Sequence, residues 1–219
     1  VYINPAGLEY LTNPEIESEN RKKVMLPQMA ARFGEQLPVP RSRIEFLKDG
    51  EVIDLGAGEK LGIWFTPAHQ PSGLVIFEEK NKGLFINDIV GNYFSDIDFN
   101  LILTPPRSDV LRAMQDIQRF ARMNIQYLYL GHYGFHERPA EVFTRALKGM
   151  QKLMDIAERC VKEGRPEEIE KRVLESRLAD IENLKRRSQS LYEYTRDELI
   201  THHSVYFAKY YLEIVKKQH

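Results

Sequence analysis

Three side chains able to bind a metal occupy the same place relative to predicted strands. His69 follows the apolar run Leu61 to Phe65 across Thr66-Pro67-Ala68, Asp88 follows Leu84 to Ile86 across Asn87, and His132 follows Tyr127 to Leu130 across Gly131. Imidazole nitrogen and carboxylate oxygen are ligands for Zn²⁺, Fe or Mn²⁺. A metal lowers the pKa of its bound water from about 15.7 to about 7, so hydroxide becomes available without a serine or cysteine nucleophile. Taken singly, each of the three reads as a loop residue bonded to nearby backbone. The chemistry is implied by the recurrence, three strand ends each delivering a ligand.

Those strands sit in a longer alternation of elements. Leu74 to Glu78 is a further strand, set off by a polar turn at Asn81 to Gly83. Upstream, Ile44 to Leu47 and Val52 to Leu55 flank Asp49-Gly50, a hairpin signal. Before that, Pro14 to Phe33 has a helical pattern capped by Asn13, with Met25, Met29 and Phe33 on one face and a kink at Pro27. Downstream, Val110, Leu111, Met114, Ile117 and Phe120 make one face of a helix over Ser108 to Met123, and Pro139 opens another that runs to about Lys162. After Gly164-Arg165-Pro166 the pattern is almost wholly helical. This predicts an α/β domain over 1–150 and a helical subdomain over 151–219.

Thr66-Pro67-Ala68-His69, Ser72-Gly73 before an apolar strand, Leu84-Phe85-Ile86-Asn87-Asp88 and Leu130-Gly131-His132, in that order, resemble the metallo-β-lactamase superfamily of hydrolases, in its glyoxalase II-like branch. The resemblance implies a four-layer αββα sandwich, here with an incomplete N-terminal half and a C-terminal helical extension. It implies two Zn²⁺ per complete site, with Fe or Mn as substitutes. His69 would serve the first metal, His132 the second, and Asp88 would bridge them as the catalytic carboxylate. The implied reaction is attack of metal-bound hydroxide on an ester, thioester or lactone-like small molecule.

The superfamily's His-x-His-x-Asp-His loop is not in this sequence, whose six histidines are at 69, 132, 136, 202, 203 and 219. Val1 to Pro5 resembles the strand that follows that loop, so the expectation is a C-terminal portion of a longer protein; the alternative is a homologue that never had the loop. Either way each metal keeps two protein ligands, below the three typical of a catalytic zinc. Weak metal binding and no activity by this chain alone are therefore expected. The competing reading is a non-catalytic scaffold with a vestigial site.

Around these motifs, Tyr93, Phe94 and His136 either wall a substrate pocket or fill core and cap a helix. His202-His203 would project in different directions from a helix and make a poor metal clamp. Tyr206, Phe207, Tyr210 and Tyr211 form an aromatic cluster suited to a homodimer through the C-terminal helices. With 31 basic and 32 acidic residues the net charge is −1, which gives no reason to expect nucleic acid or an anionic membrane as partner and argues against a nuclease. The single Cys160 cannot form an internal disulfide, and a reducing, cytoplasmic setting is expected.

Overall fold

The computed structural model describes residues 1–16, 18–19 and 36–216. Its strands are β1 (Tyr2–Ile3), β2 (Glu45–Phe46), β3 (Val52–Gly56), β4 (Glu59–Phe65), β5 (Leu74–Glu78), β6 (Gly83–Phe85), β7 (Asn92–Phe94), β8 (Phe99–Leu101), β9 (Tyr127–Tyr129) and β10 (Phe135–His136). A six-stranded sheet runs β10-β9-β6-β5-β4-β3, with β6 and β9 parallel and the other neighbours antiparallel. Two antiparallel steps separate β4 from β6, and the step from β6 to β9 is parallel. Strands β4, β6 and β9 therefore point the same way and end at one edge.

A parallel pair needs a crossover. The one between β6 and β9 carries the β7–β8 hairpin and helix α2 (Val110–Phe120), the first helix being the short α1 (Leu8–Thr12). The first turn of α2 is capped by Asp109, which accepts from Arg112 N–H at 2.9 Å. Helix α3 (Pro139–Lys162) starts on a proline, as the sequence predicts, and Gly164 at φ +71° follows its end. Next come α4 (Ile169–Ile181), α5 (Gln189–Tyr194) and α6 (Ile200–Tyr210). No helix among the described residues is long and apolar enough to cross a membrane.

One face of the sheet, through Val75, Leu84 and Leu128, packs in a single core with Ile117 and Phe120 of α2 and Val142, Ala146 and Met150 of α3. Residue 150 lies inside α3. Phe207, Tyr210 and Tyr211 join that same core, so three of the four aromatic residues expected to meet a second copy are buried within their own chain. A second core places Phe94, Phe99 and Leu101 of the hairpin under Ile181, Leu184, Tyr192 and Ile200. The architecture is α/β with C-terminal helices, as the motifs imply; besides the six-stranded sheet, the described residues form two two-stranded ladders, the parallel β1–β2 and the antiparallel β7–β8. The opposite sheet face is only partly covered: Phe85, stacked at 4.4 Å on Tyr129, is 47% exposed.

One sequence expectation changes. Asp49-Gly50 does form a turn, with Gly50 at φ +77°, but the strands on either side do not pair; β2 joins β1, and β3 joins β4. The hairpin is made instead at Gly56-Ala57-Gly58, all three at positive φ, a conformation glycine adopts without steric cost. The helical face of Met25, Met29 and Phe33, with Pro27, lies outside the described residues.

Leu84→Ala, at a fully buried position, is expected to lower stability by about 2–5 kcal/mol, whereas Phe85→Ala on the open face costs about 1 kcal/mol. Equal losses in chemical denaturation would contradict this assignment of faces.

Candidate functional site

The three candidate ligands are held by short, tightly bonded turns. After β4, Thr66 N–H donates to the Gly73 carbonyl and Gly73 N–H to that of Gln70, both at 2.9 Å, closing the turn that carries His69. A Cβ on Gly73 would lie 2.4 Å from the Thr66 carbonyl oxygen, so the closure requires glycine. After β6, Asn87 links two of the turns. Its Nδ2 donates to Thr66 Oγ1 at 2.8 Å and to the Leu74 carbonyl at 3.3 Å, while its Oδ1 accepts from Ile89 N–H at 3.0 Å and caps the 3-10 turn Asp88–Val90. Beyond β9, Ile86 N–H donates to the Tyr129 carbonyl at 2.9 Å, keeping the two chains together as far as Gly131-His132. A Cβ on Gly131 would sit 2.5 Å from Asp88 Oδ1. The bare residue before His132 is what admits the carboxylate.

The structure thus brings His69, Asp88 and His132 together. His69 Nε2 lies 3.9 Å and His132 Nε2 3.4 Å from the same oxygen, Asp88 Oδ2. His69 is the more enclosed imidazole, and His132 is 57% exposed. Burial holds His69 below the ordinary histidine value; Asp88 offsets part of this and His132 adds to it. A neutral His69 meets Asp88 as a dipole and not as an ion pair.

The donors are right in kind for Zn²⁺, Fe or Mn²⁺. They do not close a site. Among the described residues no group of three or more His, Cys, Asp or Glu side chains is arranged to hold a metal ion. Two imidazoles meeting one carboxylate make a partial ligand set, in keeping with the two-ligands-per-metal count from the sequence.

The other candidates are placed differently. Tyr93, Phe94 and His136 are all buried. Tyr93 O–H donates to Asp98 Oδ1 at 3.1 Å, and its ring meets His136 edge-on at 5.2 Å. His136 Nδ1 accepts from Arg138 N–H at 3.0 Å. These residues are buried and present little surface to a ligand. The ring that does is Tyr133, 48% exposed, in the left-handed region at φ +66° and packed on Phe94 at 4.4 Å. Arg187, from the turn before α5, lies over both rings and pairs with Asp96. Burial raises the Tyr133 hydroxyl pKa, with Arg187 acting against it and Asp88 with it.

A polar cluster behind His69 gave no signal in the sequence. Thr104 N–H donates to His203 Nδ1 at 2.8 Å, and Thr104 Oγ1 donates to the His203 carbonyl at 2.7 Å and accepts from Arg177 Nη2 at 2.9 Å. His203 must therefore carry its proton on Nε2. Burial, with Arg177 and His69 nearby, pushes its pKa down to about 3. Among the described residues no carboxylate touches the buried Arg177, and its Nε and Nη1 have no hydrogen-bond partner. Burial lowers it to about 9, which leaves it charged at neutral pH, with Asp180 acting in the opposite direction.

No family model matches the chain, and no curated protein matches it in sequence. Solved structures do match. An archaeal metallo-β-lactamase superfamily protein from Sulfolobus tokodaii superposes with a TM-score of 0.56 at 20% identity, over 70% of this chain and 57% of that one. A metallo-β-lactamase family protein from Thermus thermophilus gives 0.56 at 15% identity, over 97% of this chain and 66% of that one. The fold is that of the metallo-β-lactamase superfamily, and this chain spans 57% and 66% of the lengths of these two proteins.

Two outcomes are expected here. Gly131→Ala should leave the melting temperature nearly unchanged while displacing the Asp88 carboxylate, read as altered His132 ring resonances in NMR; unaltered resonances would contradict the contact. The second concerns pH. His203 titrates at about 3 in the fold against about 6.5 unfolded. The unfolded chain then binds more protons in that window, so stability falls as pH is lowered from about 6.5 toward 3. His69, also held low, acts in the same direction. His203→Asn should flatten the slope, and an unchanged slope would contradict a neutral, buried imidazole.

Proposed function

We propose that the edge bearing His69, Asp88 and His132 is part of the ligand set of a metal-dependent hydrolase acting on an ester, thioester or lactone-like small molecule. Zn²⁺ is the preferred metal, with Fe or Mn²⁺ as substitutes, and Asp88 is the shared carboxylate. The observation that carries this reading is the approach of two Nε2 atoms to a single carboxylate oxygen, each donor just beyond the end of one of three co-directional strands. The fold supports it, because this is the edge at which the motif resemblance implies the metals. Bound metal would supply hydroxide at neutral pH and polarise the scissile carbonyl. This chain's own residues orient and enclose: Asn87 fixes two ligand turns to each other, and Gly131 leaves room for the carboxylate.

A second reading, a non-catalytic scaffold with a vestigial site, is favoured by the incompleteness of the donor set among the described residues. Zinc titration by calorimetry separates the two. The hydrolase reading expects weak binding by the 219-residue chain, reduced about tenfold or more by Asp88→Ala, and no turnover of acyl thioesters or lactones. Binding that is undetectable, or indifferent to Asp88→Ala, would favour the scaffold. Robust hydrolysis lost on His69→Ala would show that the three donors suffice.

A further inference from the structure

A cavity of about 620 Å³ opens beside His69, within the ~300–1,000 Å³ usual for small-molecule sites. Four separate stretches wall it: the N-terminal segment with Asn4 and Tyr10, the turn from His69 to Ser72, the turn Pro105–Arg107, and Tyr206 of α6. Most of the lining is apolar or aromatic. Among the described residues Arg107 is the one formally charged side chain in the lining, and no aspartate, glutamate or lysine faces the cavity.

Arg107 is held there against its backbone preference. It sits at φ +68°, a left-handed conformation that disfavours a bulky residue and persists only where the surroundings over-determine it. Both flanks are fixed. Thr104 is bonded twice to His203, and Asp109 N–H donates to the Ala68 carbonyl at 2.6 Å while its Oδ1 accepts from Tyr210 O–H at 2.9 Å. Ser108 N–H to the Pro105 carbonyl at 3.1 Å closes the turn between them. Arg107 Nη1 donates to the Tyr10 hydroxyl oxygen at 2.7 Å, joining two walls, and the guanidinium touches no carboxylate among the described residues. One of its five N–H donors is thereby used, and the planar fork keeps others for a bidentate acceptor.

We infer that this cavity binds an amphipathic small molecule with a carboxylate, its apolar body against Leu11, Leu74 and Tyr206 and its anionic end on Arg107. That the bound molecule is also a substrate, with its scissile bond toward His69, rests on the hydrolase reading; binding itself does not. The bland reading of Arg107, a strut that closes the N-terminal segment through Tyr10, makes a different prediction for removal of the side chain.

The test is calorimetric titration of the full 219-residue chain with 4-phenylbutyrate and with 4-phenylbutanol, the same body with and without the charge. The butyrate should bind saturably at one equivalent, and the alcohol about tenfold more weakly. Arg107→Gly should abolish the difference with no fall in melting temperature, since glycine takes the left-handed backbone freely. Asp88→Ala should leave both affinities unchanged. Probe binding that persists in that variant, whatever its zinc binding, keeps this inference separate from the hydrolase reading. Equal affinities for the two probes, a preference that survives Arg107→Gly, or a lower melting temperature in that variant would overturn it. So would no saturable binding of either probe.

Discussion

The parallel pairing of β6 with β9 is the constraint from which the site follows. Had β9 joined the sheet antiparallel, Gly131-His132 would emerge at the opposite edge, more than a strand's length from Asp88. Because β4, β6 and β9 are co-directional, the residues just past their ends are neighbours wherever the connecting turns are short. The crossover that a parallel pair demands is also what places α2 and the β7–β8 hairpin over the sheet. Topology and site are consequences of one pairing.

The turns at that edge are held by polar contacts, and their stiffness comes from residues other than the candidate ligands. Asn87 bonds the His69 turn to the Asp88 turn, and Thr104 is bonded to His203 and Arg177 from the helical tail. A buried guanidinium that touches no carboxylate among the described residues and a histidine kept neutral are costly features for a core. Here they sit at the junction between tail and site, alongside two left-handed non-glycine residues, Arg107 and Tyr133. The tail is accordingly part of the site's support: Phe207 and Tyr211 lie in the same core as the sheet, and Arg187 braces the ring next to His132.

Much of this is legible in the sequence. Strand ends followed at once by His69, Asp88 and His132 point to the edge at which these three side chains meet, and the period of Val142, Ala146, Met150 and Leu153 gives α3 from its proline onward. Local signals fail where pairing is decided at long range. Asp49-Gly50 is a sound turn signal, but β2 finds its partner in β1, far back in the chain, and no short-range pattern encodes that choice. Proximity in sequence to Asp88 and His132 draws Tyr93, Phe94 and His136 toward the pocket; in three dimensions all three are buried, Tyr93 and Phe94 in the two cores. Arg177 and His203 carry no signal because a charged or titratable residue on a mixed-charge helix reads as solvated until its neighbours are known.

The account turns on His69, Asp88 and His132 forming one locus, and paramagnetic line broadening in NMR tests this even when metal binding is weak. On addition of substoichiometric Mn²⁺, the account predicts that resonances of these three residues broaden together, ahead of those of His136, His202 and His203. Broadening centred on the α6 histidines, or confined to one member of the three, would contradict it.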